Sequence, residues 1–303
     1  MISVTVPAPE RTQLFKMRIR TLVVLVLVSI PLFALNTMID QGRAAIMRGD
    51  YDAAVDLLEK AVAQAPDSAD ARYWLGSAYG SQAQKSGICG AAMLAGKAKE
   101  QFEKAIALDP ENNDARLGLV EFYAIAPGIM GGDFDKALEQ AKEIRKRDSL
   151  MGHRAYALVY TRQKKPDLAR KEYADAVAEQ PRSAPAHTSL GSYLLTADKN
   201  YTAAFEELET AIKLDPNYMP AWYHLGRAAA NSGTNLPRGE EALKKYLRYA
   251  SKPNEPPLAN AHYWLGTIYE KEGRKGEAKE SFERAIRLNP DSRQIAEALK
   301  RVS

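Results

Sequence analysis

The chain has 303 residues, 46% hydrophobic and 26% charged, with a formal net charge of +4. Such a composition belongs to a folding chain and excludes a disordered one. Most of the net charge comes from Glu10, Arg11, Lys16, Arg18 and Arg20, which leaves +1 on the remainder and no basic footprint for nucleic acid. The single Cys89 excludes an internal disulfide, and no cysteine follows the first apolar stretch where a lipoprotein would be acylated.

That stretch, Leu22 to Leu35, reads LVVLVLVSIPLFAL and carries no charge over 14 residues. Lys16, Arg18 and Arg20 precede it, a bias that keeps the N-terminus inside. Met17 offers an alternative start, which would give a charged segment followed by an apolar core, as secretory signals have. Cleavage after Ala34 would place Leu32 two residues before it, a poor site, and extension to Ile39 approaches the ~20 residues a spanning helix needs. Residues 1–35 are therefore expected to be a signal peptide or an anchor, with the remainder of the chain periplasmic or held at a bacterial inner membrane facing the periplasm. Membrane contact is expected through this segment only.

From residue 36 to 292 the chain falls onto a 34-residue period. The clearest unit, Ala259 to Ser292, places Leu265-Gly266, Tyr269, Ala278, Phe282, Ala285 and Pro290 at fixed offsets. Six further units start near residues 35, 69, 113, 150, 184 and 219. Their first helices are marked by Gly42, Leu75-Gly76, Leu119, Tyr160, Leu190-Gly191 and Leu225-Gly226. Second helices carry paired alanines such as Ala54 and Ala61, and four units close on Pro66, Pro110, Pro181 and Pro216. A proline there stops the helix and turns the chain. The pattern describes helical hairpins, each too small to bury its own apolar face, that must stack to make a core.

These residues resemble the tetratricopeptide repeat family. The resemblance implies an all-α, right-handed superhelical solenoid of seven hairpins, with residues 293–303 as a capping helix. Two units depart from the period. About ten extra residues lie around SQAQKSGICGAAMLAG and about five around APGIMGG, both expected between the two helices of a hairpin, on one edge of the array. Their combination resembles a recurring bacterial subgroup of the family.

Motifs for chemistry are few. GAAMLAGK, Gly90 to Lys97, looks like a phosphate loop but has one residue too many between its glycines and Ala98 where a hydroxyl should hold magnesium. APGIMGG reads as a turn whose glycines supply positive φ. His153, His187 and His262 share one offset in different units, a packing position too widely spaced for a shared zinc. No metal or cofactor is expected, and the chain is not expected to be an enzyme. The minority alternative is catalysis by the inserts around Cys89 and Gly131-Gly132.

What remains is the first-helix face that lines the concave groove in this family. The resemblance assigns to it Asp70, Tyr73, Ser77, Leu117, Glu121, Arg154, Thr188, Ser192, Tyr223, Arg227, Tyr263 and Thr267. Tyr73, Ser77, Arg154, Tyr223, Arg227 and Tyr263 are the candidates for gripping a partner, because Tyr and Arg dominate binding hot spots. The expected partner is a protein or peptide held in that groove, by an adaptor or by a periplasmic chaperone or assembly factor. Tyr73 and Ser77 stand where chaperone-binding relatives carry a Lys and Asn clamp for a terminal carboxylate, so that ligand class is not expected here.

Overall fold

The computed structural model describes residues 34–249 and 255–303. All but the last two residues of the apolar run Leu22–Leu35 lie outside the described residues. No helix among the described residues is long and apolar enough to cross a membrane.

The described residues are helical throughout, without a strand. They fall into two compact units, the first ending at Phe122 and the second covering Tyr123–Ser303. The first holds helix α1 at 34–48, α2 (Tyr51–Gln64), α3 (Ala69–Lys85) and α4 (Ile88–Leu108). Helix α5 (Asn113–Ile125) contains the boundary, and a 3-10 turn at Gly128–Met130 comes after it. In the second unit, α6 (Phe134–Arg145), α7 (Ser149–Arg162), α8 (Pro166–Glu179), α9 (Ala184–Tyr193), α10 (Tyr201–Leu214), α11 (Met219–Ser232) and α12 (Leu236–Leu247) run on. They are succeeded by α13 (Leu258–Lys271), α14 (Lys275–Leu288) and α15 (Arg293–Val302). Within this unit each helix packs on its sequence neighbours, and α9, α11 and α13 also touch in series, so the hairpins stack in chain order.

The period in the sequence becomes a period of contacts. A Cβ added at Gly42, Gly76, Gly191, Gly226 or Gly266 would lie 2.3–2.8 Å from the second-helix Leu58, Phe102, Leu208, Leu243 or Phe282, respectively. The two helices of a hairpin approach closely because that position has no side chain, and a large apolar group fills the space. Leu58, Leu208, Leu243 and Phe282 are fully enclosed, each such burial worth about 1.5–3 kcal/mol.

Helix boundaries follow the local chemistry. Ser68, Asp148, Ser183 and Ser292 each accept a hydrogen bond from the backbone N–H three residues on, satisfying a donor the first turn leaves open. At the other end, the carbonyls of Pro66, Pro110, Pro181 and Pro216 accept from the side chains of Arg72, Arg116, His187 and Trp222, at 2.7–3.1 Å. Every one of these donors stands six residues after its proline, at the fourth position of the next first helix. Three unlike residue types thus do one task, fastening each hairpin to its predecessor.

The ten-residue insertion is not a loop. It lengthens α3 to 17 residues and α4 to 21, with Ser86 and Gly87 as the turn. Gly90 to Lys97, the phosphate-loop resemblance, is helical along its whole length and presents no cradle. APGIMGG forms the expected tight turn. Pro127 O accepts from Met130 N and Gly132 N, and Gly131 takes φ +93°. Gly132 is required for space, since a Cβ there would meet Ala126 O at 1.7 Å. The turn holds Ile129 out at 95% exposure. Helix α15 buries Ile295 and Ala298 against the last hairpin, and Arg301 pairs with Glu270 at 2.9 Å, closing the stack as a cap.

Candidate functional site

In the second unit the first helices of three consecutive hairpins, α7, α9 and α11, open on one cleft of about 560 Å³. Arg154 comes from α7, Thr188 and Ser192 from α9, and Pro220 and His224 from α11. Tyr173 of α8 and Tyr218, just before α11, supply aromatic walls, and Glu255 and Pro256 close one side. Arg154, Thr188 and Ser192 were legible in the sequence as groove residues, and the structure brings these three together.

Arg154 is exposed and makes no ion pair among the described residues. It faces Tyr173, Tyr218 and His224. Burial pushes both tyrosine hydroxyls above the usual range, and the guanidinium opposes that rise. Burial drives His224 down to about 3, with Arg227 and Arg154 adding to the effect, so the ring is neutral at physiological pH. Its Nδ1 is enclosed and has no hydrogen-bond partner. A buried polar nitrogen without a partner is uncommon in a folded chain, and this one lies sealed beneath the cleft.

The other predicted grips have different duties. Tyr223 is 5% exposed and belongs to the core, its hydroxyl accepting from Trp264 Nε1 at 3.1 Å and its ring 5.4 Å from that of Tyr246. It cannot grip a ligand directly, because the next hairpin covers it. Arg227 lays its guanidinium over the Trp264 ring, 5.5 Å from the centroid, with its Nε enclosed and unpartnered. The first unit repeats this device between Arg43 and Trp74 at 4.7 Å. Tyr263 rests on Phe282 at 5.8 Å, and Tyr73 on Phe102 at 6.2 Å, each lying over the ring that fills the glycine position of its hairpin. Ser77 donates to the carbonyl of Tyr73 within its own helix. The tyrosines at this offset are packing residues first.

His224 escaped the sequence reading because only the fourth-position histidines form a series. Its own position carries Trp74 and Trp264 in other units, and an arginine from the preceding hairpin covers each. Before His224 the corresponding residue is Ser192, so no arginine covers the ring from that position. The fourth-position histidines behave as packing residues. His153 is fully buried with Nδ1 2.7 Å from Glu172 and Nε2 3.3 Å from Glu179, and His187 Nδ1 lies 2.6 Å from Glu207. Among the described residues no three His, Cys, Asp or Glu side chains cluster as a metal site.

Comparison with known proteins defines the class. Tetratricopeptide repeat profiles match residues 42–82, the overlapping segments 129–185, 155–218 and 188–256, and residues 259–292. The chain belongs to the tetratricopeptide repeat family. Human mitochondrial import receptor subunit TOM70 is 23% identical over 201 residues, 65% of this chain and 32% of that protein. The chain therefore spans about a third of that relative's length. Among solved structures, a tetratricopeptide repeat protein from Parabacteroides merdae matches with TM-score 0.51 and 16% identity, over 89% of this chain and 98% of the other. The APC/C hetero-tetramer Cut9-Hcn1 matches with TM-score 0.53 and 16% identity, over 86% of this chain and 48% of the other. At these identities the structures speak for the repeat solenoid fold alone.

Proposed function

We propose that this chain is a protein-interaction scaffold that seats an extended segment of a partner in the cleft between α7, α9 and α11, and that it works outside the cytoplasm. The observation that carries the reading is the convergence of three successive first helices on one cleft, where the Arg154 guanidinium stands exposed without an ion pair among the described residues. Tyr173 and Tyr218 offer flat surfaces at low entropic cost, and Arg154 offers a directional donor set. The relative named as an import receptor subunit fits a binding role. The reading is non-enzymatic, since His153 and His187 are occupied in holding hairpins together and Cys89 stands exposed on the first turn of α4.

Location rests on the sequence alone, on Leu22–Leu35 and the cations before it. An alkaline phosphatase fusion after Ser303 should be active in a bacterial host, and an inactive, stable fusion would remove the extracytoplasmic part of the proposal. For the binding part, affinity capture from envelope extract should recover a defined partner with the wild-type chain and lose it when Arg154 and Thr188 are both changed. Retention of the partner by that variant would refute the cleft.

A second reading, a chaperone or assembly factor for envelope proteins, is favoured by one feature. Apolar side chains stand exposed at hairpin turns, Ile88 and Met93 in the first unit and Ile129, Met130 and Phe134 in the second. Capture of many unrelated clients, sensitive to Ile129→Ser but not to Arg154→Gln, would select it.

A further inference from the structure

One edge of the second unit carries features that the cleft does not use. Consecutive helices run antiparallel, and Arg145 at the end of α6 packs against Gly152 near the start of α7. The start of α6, with the turn before it, therefore lies beside the end of α7 and the turn at residues 163–165. The turn at 198–200 comes next, since Tyr193 donates to Pro166 O at 2.9 Å and Arg170 pairs with Asp198 at 2.5 Å. Three successive hairpin turns thus share one edge.

The first turn is apolar and the other two are basic. Ile129 is 95% exposed and Met130 40%, on a turn held by the N–H groups of Met130 and Gly132 donating to Pro127 O. Arg162, Lys164, Lys165 and Lys199 are exposed and make no ion pair among the described residues. The acids beside them are engaged: Arg170 holds Asp167 as well as Asp198, and Asp133 caps α6, which leaves Asp135 in the first turn of α6 to oppose the cations. Lys164 and Lys199 also hold φ at +59° and +53°, where Gly49 and Gly273 occupy the same place in other hairpins. A side chain is strained in that region and glycine is not. A lysine standing there twice without an internal partner points to a use outside the chain. An acidic protein surface would answer the cations but would also need a pocket shaped for Ile129. A bilayer interface takes up an apolar side chain without such a pocket, and anionic headgroups attract the lysines and arginine around it.

We infer that this edge docks on an anionic phospholipid surface, with Ile129 and Met130 entering the interface and Arg162, Lys164, Lys165 and Lys199 meeting headgroup phosphates. The surface is separate from the cleft between α7, α9 and α11 and does not depend on it.

The test uses the full chain with Cys89→Ser and a small uncharged fluorophore on Ile129→Cys, compared with the same label on Lys213→Cys at the far end of α10. Vesicles are phosphatidylcholine with or without phosphatidylglycerol, doped with a lipid whose acyl chain carries a nitroxide quencher. The apolar run Leu22–Leu35 is able to bring every variant to a vesicle, so the readout is local to the label. In phosphatidylglycerol vesicles the label at 129 should be quenched about twofold or more beyond its quenching in phosphatidylcholine alone, and salt should reduce the difference. The label at 213 should be quenched in neither. Changing Arg162, Lys164, Lys165 and Lys199 together to Gln should return the label at 129 to its phosphatidylcholine level with helical content unchanged. The lipid comparison on the unaltered cations decides the matter if that variant folds poorly. No quenching at 129 in phosphatidylglycerol vesicles, equal quenching at 129 and 213, or quenching at 129 indifferent to phosphatidylglycerol would overturn the inference and leave the reading of the cleft as it stands.

Discussion

Replacing Gly266 by Ala should loosen the hairpin α13–α14, although alanine is the better helix former. A Cβ on residue 266 would stand 2.7 Å from Phe282 Cε1, 2.8 Å from Cδ1 and 3.0 Å from Cζ. Carbon atoms rest at about 3.5–4.0 Å, so the ring would have to retreat by roughly 0.8 Å. Phe282 has no exposed surface to retreat into, and the Tyr263 ring lies 5.8 Å from it. Overpacking of this kind costs about 1–3 kcal/mol and the helix-propensity gain returns at most about 1 kcal/mol; a ring with no room to retreat puts the cost at the upper end, for a net loss of about 2 kcal/mol. Leucine at the same place should cost more. Gly276 provides the control, since it is also helical but its Cβ would meet nothing within 4 Å. Gly276→Ala should stabilise by about 0.5–1 kcal/mol. Repeat arrays unfold piecewise, so urea unfolding by circular dichroism should be paired with hydrogen exchange of α13 and α14. Phe282→Leu should recover part of the loss when combined with Gly266→Ala and cost stability alone. A Gly266→Ala variant as stable as the parent, with unchanged exchange in α13, would refute the proposed glycine-to-ring contact.

Other contacts lead to three further expected outcomes. Gly132→Ala should break the turn after α5, because its Cβ would overlap Ala126 O, whereas Ile129→Ser should change stability by less than about 0.5 kcal/mol; limited proteolysis at residues 126–133 separates the two. Trp222→Phe removes the donor to Pro216 O and should cost about 0.5–1.5 kcal/mol, read by urea unfolding. Arg274, with Lys244 and Tyr269, holds the Glu240 carboxyl at about 2, well below its unfolded value. That contribution is fully present above the unfolded pKa and is lost as pH falls through the folded one, so stability should fall from about pH 4.5 towards pH 2, and less steeply in Glu240→Gln. Identical acid-unfolding slopes for the two proteins would contradict this.

The fold was legible because its spacing rule is severe. Gly266 and Phe282 occur together for one steric reason, and the same pairing at Gly76 with Phe102 and Gly226 with Leu243 makes the register hard to misplace. Long-range cover was not legible. Tyr223 and Tyr263 share an offset, yet Tyr223 is buried because Trp264 of the following hairpin donates to its hydroxyl. The insertion around Cys89 looked like a loop by its glycines, but its alanines, Gln82, Gln84 and Lys85 are sound helix formers and extend both helices instead. Arg154 was visible as a groove residue from its offset. His224 was not, because a lone histidine at a position that carries Trp74 and Trp264 in other units forms no series.

Whether α7, α9 and α11 form the partner surface is tested most directly by site-specific photocrosslinking in living cells. A photoreactive residue at Thr196, exposed on the cleft, is compared with one at Glu283 on α14. One adduct of defined size is predicted from position 196, none from 283, and the adduct should be lost when Arg154→Gln is added. Adducts of equal pattern from both positions, or none from the cleft while 283 captures a partner, would contradict a partner surface on these three helices.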